Sequence, residues 1–159
     1  MKRLRFIALL ALAGCVGSNR EGSPSQGQAL GLAAPAAFAG EWLGVMEQTG
    51  QPFAWTRRLI VDGSAVGMHS VAAKFGSSPI AETDALQCVY RLTVEKADPQ
   101  GNSMAGVASL AKTIQGAARS GLMCIPEFRF AAKAAGTRIE FLDDYGRGSG
   151  GLSVLHRQK

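Results

Sequence analysis

The sequence predicts an all-β, antiparallel domain, and three observations support that prediction. Short stretches alternate between apolar and polar residues, as strands with one buried face do. Glycine, aspartate, proline and serine separate these stretches, which indicates tight turns. Eight strands from Phe38 onward leave about 15 residues for each strand and its turn, a spacing that suits an up-and-down barrel or a sandwich.

The first three strands are predicted at 41–49, 53–62 and 65–75. The alternation is clearest in the second of them, whose apolar face holds Phe53, Trp55, Leu59 and Val61. Arg57 falls on that same face, which indicates a β-bulge or a strand end at this position. The pair Asp62-Gly63 predicts the turn before the third strand.

The middle of the chain predicts two further strands. Residues 86–96 alternate throughout, and their apolar face consists of Leu86, Cys88, Tyr90, Leu92 and Val94. Residues 103–119 are ambiguous, because their apolar residues recur at helical spacing (Met104, Val107, Leu110 and Ile114). We favour a strand at 103–111, and a helix in 103–119 stays open as the alternative.

The last three strands are predicted at 122–130, 137–142 and 151–157. Cys124 shares the apolar face of the first of these strands with Phe128 and Phe130. Asp143 and Asp144 follow the second strand, and adjacent carboxylates in a strand point to opposite faces. We therefore expect a solvated turn at these two aspartates rather than a calcium site.

Residues 1–14 predict a signal for export. Lys2, Arg3 and Arg5 precede an apolar stretch from Phe6 to Ala13, and this order is typical of a secretory signal peptide. The apolar stretch is too short to span a membrane, which takes roughly 20 residues.

The end of this signal, Leu12-Ala13-Gly14-Cys15, resembles the lipobox of bacterial lipoproteins. That resemblance implies cleavage before Cys15, diacylglycerol on its thiol and, usually, acylation of the new N-terminus, so that acyl chains such as palmitate anchor the protein. The residue that follows Cys15 is Val16 and not an aspartate. This position then resembles the sorting signal of outer-membrane lipoproteins, which implies a place in the cell envelope facing the periplasm. A plain signal peptide is the alternative.

The next segment predicts a tether. Residues 16–37 are rich in serine, glycine, alanine, glutamine and proline, and they show no apolar period. A random coil of this length has an end-to-end distance of roughly 25 Å. We expect residues 15–37 to form the lipidated cysteine and its tether, and residues 38–159 to form the β domain.

The charge of the chain argues against nucleic-acid binding. The net charge is +5, but three of the 17 basic residues lie within the first five positions. The remaining chain carries 14 basic and 12 acidic residues, and no clustered basic face is evident. We therefore expect no nucleic-acid partner.

Two of the three cysteines predict a disulfide. With Cys15 lipidated, Cys88 and Cys124 remain as an even pair in an exported protein, where oxidising conditions favour their pairing. Two buried free thiols are the alternative. The sequence contains no C-x-x-C, so it supports neither a redox-active site nor a zinc site.

The start of the domain, Phe38-Ala39-Gly40-Glu41-Trp42, carries a Gly-x-Trp on the first predicted strand. This motif resembles the calycin superfamily of lipocalin-like barrels, and bacterial periplasmic inhibitors of proteases or lysozyme are small barrels of similar size. The resemblance implies that Trp42 plugs one end of an eight-stranded barrel. It also implies a binding function, either for a small apolar ligand inside the barrel or for a protein.

No combination of residues predicts catalysis or a cofactor. His69 and His156 lie far apart, and neither has an acidic residue or a cysteine at metal-ligand spacing. We expect no enzyme activity, no metal and no cofactor.

The leading interpretation is a lipid-anchored protein that binds an envelope protein partner, as an inhibitor or in envelope assembly. Tyr145 and Arg147, in the predicted loop 143–151, are the candidate contact residues, and a small apolar ligand in the barrel is the alternative.

Overall fold

The computed structural model describes residues 31–47, 53–75, 78–81, 84–114 and 122–159. Cys15 and the rest of the predicted signal lie outside these ranges. The described strands are β1 (Gly40–Glu47), β2 (Phe53–Asp62), β3 (Ala65–Phe75), β4 (Ser78–Pro79), β5 (Gln87–Ala97), β6 (Ser103–Ile114), β7 (Glu127–Ala135), β8 (Arg138–Gly146) and β9 (Ser149–Arg157). The prediction of an all-β fold is confirmed.

Eight of these strands close into an antiparallel barrel. Each strand of the series β1, β2, β3, β5, β6, β7, β8 and β9 pairs with the next one along the chain. The barrel closes because β1 also pairs with β9, for example Trp42 with Arg157 and Val45 with Val154. The short β4 pairs only with the end of β3. The architecture is therefore an up-and-down barrel and not a sandwich, consistent with small calycin-like barrels.

The alternation of each strand places one set of side chains inside the barrel. Fully buried apolar residues fill the interior, among them Trp42, Leu59, Met68, Ile139, Phe141 and Leu155. Phe130 and Phe141 stack at 5.3 Å between ring centroids on the inner face of the paired strands β7 and β8.

The end of the barrel at the start of β1 is closed. A 3-10 turn at Ala36–Phe38 lies over it, and the indole Nε1 of Trp42 donates to the carbonyl oxygen of Phe38 at 2.8 Å. The guanidinium of Arg157 lies 4.5 Å from the centre of the Trp42 ring. The backbone of Leu32 bonds to Val94 near the same end, so the N-terminal segment joins the barrel on the Trp42 side.

Several predicted strand boundaries need correction. Residues 122–126 are not a strand, so β7 begins at Glu127 and Cys124 lies in the preceding connection. Proline lacks the N–H that a ladder needs, and Pro126 accounts for the late start. The ambiguous segment 103–119 is a strand as far as Ile114, and its last five residues lie outside the described ranges.

The predicted strand at 137–142 continues to Gly146, so the expectation of a solvated turn at Asp143 and Asp144 is wrong. Its partner β9 begins at Ser149, and only Arg147 and Gly148 form the turn between them. The predicted loop 143–151 is therefore mostly strand. The predicted bulge or strand end at Arg57 is wrong too, because β2 runs through this residue and its register shift lies between Ala54 and Trp55.

Candidate functional site

The end of the barrel opposite Trp42, here called the mouth, contains a cavity of about 270 Å³. It lies where β1 and β8 end and where β2 and β5 begin. Its lining is mainly apolar and aromatic with a few polar groups, which is the usual character of a small-ligand site. The lining residues are Met46, Phe53, Trp55, Arg57, Ser70, Cys88, Tyr90, Leu122, Met123, Ile125 and Tyr145.

Arg57 forms the polar floor of the mouth. The alternation of β2 turns its side chain inward, where the residue is only 2% exposed. Its Nη1 donates to Oδ1 of Asp143 at 2.7 Å and to the hydroxyl of Ser153 at 3.2 Å. Its Nη2 donates to the other carboxylate oxygen of Asp143. The barrel therefore buries a bidentate ion pair between β2 and β8.

Asp143 reaches this position because β8 continues past Leu142 with its alternation intact. It follows Ile139 and Phe141 on the inner face and is 1% exposed. Its partner in β9 is Gly151, where a Cβ would lie 2.5 Å from the sulfur of Met46. A side chain at position 151 would therefore displace the flexible thioether of Met46, and glycine leaves room for it.

Tyr145 covers one side of the ion pair. Its hydroxyl donates to Oδ2 of Asp143 at 2.5 Å, and its ring meets Phe128 edge-on at 5.4 Å. Burial, followed by the negative charge of Asp143, raises the pKa of Tyr145 well above its usual value of about 10. The phenol is therefore neutral across the physiological pH range.

The charges at the floor of the mouth compensate each other. Burial lowers the pKa of Arg57, but hydrogen bonding and Coulombic attraction from Asp143 outweigh it, so the net shift is upward. Arg57 is therefore a permanent cation paired with one carboxylate. Such a pair is stable in a low-dielectric interior only while both partners are present.

Two buried polar atoms at the mouth have no hydrogen-bond partner among the described residues. They are Nε of Arg57, the fifth donor of that guanidinium, and the hydroxyl oxygen of Ser70. Arg57 and Ser70 are direct cross-strand partners in the β2–β3 pairing, and both line the cavity. Buried polar groups are nearly always satisfied, so these two atoms distinguish this part of the cavity wall from the rest of the described barrel.

The connection before β7 covers part of the mouth. Leu122, Met123 and Ile125 line the cavity, and a disulfide joins Cys124 to Cys88 at the start of β5. The predicted disulfide is thus confirmed, although Cys124 lies in a connection and not on a strand. Met123 is 75% exposed, so this covering segment also faces solvent.

The structure separates the two candidate contact residues that the sequence suggested. Tyr145 is half-buried and bonded to Asp143 within the mouth. Arg147 lies in the exposed β8–β9 turn with a φ of 54°. His156 is exposed and His69 bonds to the side chain of Gln87 at 3.0 Å, so the two histidines do not meet. Cys15, the predicted lipid attachment, lies outside the described residues.

Sequence reasoning missed Ser70, and it misinterpreted Arg57 and Asp143. A detectable signal existed: Arg57 shares its apolar parity with Trp55 and Leu59, and Asp143 shares its parity with Ile139 and Phe141. Two opposite charges on apolar strand faces indicate an internal ion pair more directly than a bulge or a turn does.

A second surface feature lies on the outside of the barrel. Several outward apolar side chains of three neighbouring strands lie side by side there: Val45 pairs with Val154, and Leu142 pairs with Leu152. We call this surface the outer patch; its exposed members are Leu43, Val45, Leu142, Leu152 and Val154. An open groove of about 540 Å³, lined in part by Met104, Ala131 and Leu142, adjoins it.

Comparison with protein-family models, with curated proteins and with solved structures gave no match. Within the described ranges, no helix has the length and apolar character needed to cross a membrane. The same residues contain no cluster of three or more histidine, cysteine or acidic side chains that could hold a metal ion.

Proposed function

We propose that this protein is a lipid-anchored protein of the cell envelope whose barrel binds a small, largely apolar ligand in the mouth. One observation carries the proposal: the cavity has aromatic walls, and two of its lining residues, Arg57 and Ser70, each hold a buried polar atom without a hydrogen-bond partner among the described residues. A purely structural core has no need of such a pair, because leaving buried polar groups unpaired costs free energy.

Trp55 provides a direct test, because it lines the cavity whereas Trp42 is buried at the closed end. We expect 1-octanol, added to the purified chain, to change the tryptophan fluorescence in a saturable manner. Trp55→Phe should abolish the change. A linear, unsaturable response, or one that persists in Trp55→Phe, would argue against a ligand site in the mouth.

The anchoring part of the proposal rests on the lipobox-like sequence ending at Cys15. Two or more acyl chains give stable membrane attachment, whereas one chain gives marginal binding. Wild-type protein should incorporate a palmitate analogue and sediment with membranes, and Cys15→Ser should do neither. A soluble, unlabelled wild-type protein would refute the anchor.

The two parts of the proposal fit together geometrically. The N-terminal segment joins the barrel beside Val94, on the Trp42 side. A tether that leaves from this side lets the mouth face away from the membrane. Ligands in the aqueous compartment then reach the mouth without obstruction by the lipid surface.

Binding of an envelope protein partner, as an inhibitor or in envelope assembly, is the second candidate function. The outer patch favours it, since contiguous exposed apolar side chains are typical of interaction surfaces. Val45→Lys with Leu152→Lys should abolish cross-linking to such a partner in intact cells, and Arg147→Ala tests whether the adjacent hairpin turn contributes. Cross-linking that is unchanged in all of these variants would eliminate this candidate.

A further inference from the structure

We propose that the mouth selects an uncharged amphipathic ligand whose polar end accepts hydrogen bonds, such as an alcohol or an ester, over the carboxylate of the same chain length. This inference rests on the proposed ligand-binding function and specifies its ligand class. It follows from the charges, the hydrogen-bonding atoms and the shape of the mouth.

The charges disfavour an anion. Among the described residues that line the cavity, Arg57 is the one charged side chain, and Asp143 directly behind it neutralises it through two hydrogen bonds. Tyr90 and Tyr145, the other titratable side chains of the lining, are neutral because burial raises the pKa of each. A carboxylate in this cavity would lose its hydration and find no uncompensated cation in return.

The unpartnered atoms favour an oxygen acceptor. The Nε of Arg57 can only donate, whereas the hydroxyl of Ser70 can donate or accept. The two residues are cross-strand partners and line the same cavity, and in the proposed complex a single ligand oxygen bonds to both. An ester carbonyl accepts both hydrogen bonds, and an alcohol accepts one from Arg57 and donates one to Ser70.

The remaining lining specifies the rest of the ligand. Trp55, Phe53 and Met46 on one side and Leu122 and Ile125 on the other provide apolar surface. The cavity volume of about 270 Å³ limits the ligand to a short chain or a small ring system. Since Met123 is largely exposed, a longer chain could leave the mouth beside the covering segment.

Calorimetric titration with four probes of equal chain length tests this inference: octane, 1-octanol, methyl octanoate and octanoate at pH 7.5. The full chain carries Cys15→Ser in every sample, so that no acyl chain of its own competes. We expect the alcohol and the ester to bind at least about tenfold more tightly than octanoate, because the anion has no free cation to pair with.

Two serine variants form a matched pair. Ser70→Ala should weaken octanol and ester binding by roughly tenfold, the effect of one lost hydrogen bond, while octane binding is unchanged. Ser103→Ala, which removes a hydroxyl at the start of β6 that is bonded to Asp98 and absent from the cavity lining, should leave all four affinities as they are.

The outcomes separate the two proposals. Octanoate binding as tight as octanol, or equal effects of the two serine variants, would overturn the headgroup preference while the mouth remains a ligand site. If none of the four probes binds the chain, both the headgroup preference and the ligand-binding function are refuted.

Discussion

Arg57 on β2 and Asp143 on β8 form a bidentate ion pair inside the barrel, 86 residues apart in sequence. The pair joins two strands that are separated by β1 and β9 in the sheet, so it connects two separate walls of the mouth. Its position beneath the cavity ties the stability of the fold to the chemistry of the candidate site.

Breaking this pair from one side should destabilise the protein strongly. Asp143→Ala leaves a buried, uncompensated guanidinium and should lower the free energy of unfolding by about 3–5 kcal/mol. Arg57→Met together with Asp143→Leu removes both charges and should restore much of that loss. Urea unfolding of Arg57→Met, of Asp143→Leu and of the double variant measures the coupling; additive losses would contradict a direct ion pair.

Tyr145 should contribute to a loss of stability in alkaline solution. Its folded-state pKa is raised, first by burial and then by Asp143, so above pH 10 the unfolded chain releases a proton that the folded chain retains. The free energy of unfolding then falls with pH, by at most about 1.4 kcal/mol per pH unit for this group. The fall should begin near pH 10 and level off above the folded-state pKa.

Tyr145→Phe isolates this contribution. It should reduce the slope of stability against pH above pH 10 without abolishing it, because burial also raises the pKa of Tyr90. Below pH 9 the variant should be less stable by a constant amount, since it lacks the hydrogen bond to Asp143. An unchanged slope of stability against pH above pH 10 would show that the fold does not raise the pKa of Tyr145.

The β8–β9 turn offers a stabilising substitution. Arg147 has a φ of 54° and Gly148 a φ of 75°, and tight hairpin turns of this kind favour glycine or asparagine at such positions. Arg147→Gly should therefore raise the melting temperature slightly or leave it unchanged. A clear decrease would indicate that the Arg147 side chain contributes contacts to the fold.

The sequence patterns predicted the barrel better than they predicted its site. The parity of Trp55, Leu59 and Val61 placed β2 correctly, since alternation reflects one strand on its own. The bond from Arg57 to Asp143 exists only because the barrel closes, and local patterns contain no information about closure. Cys124 is a second example of a residue predicted only in part. Its disulfide partner was predicted correctly from redox chemistry, whereas its position in the connection before β7 was not.

The disulfide should account for a measurable part of the stability. Cys88 and Cys124 are 36 residues apart, and the chain-entropy treatment gives roughly 3.8 kcal/mol for a loop of this length. Replacing both by alanine should therefore lower the melting temperature markedly. Because this bond also fixes the segment that covers the mouth, octanol binding should weaken in the same variant. An unchanged melting temperature would contradict the stabilising role.

The methionines test the location of the ligand most directly. Met46 and Met123 line the mouth, while Met104 lies at the start of β6 and lines the groove beside the outer patch. With methyl-¹³C methionine, two-dimensional NMR spectra should show the Met46 and Met123 signals shifting in a saturable manner as octanol is added, while the Met104 signal stays in place. A shift confined to Met104, or no saturable shift at Met46 and Met123, would contradict the account of the mouth as the ligand site.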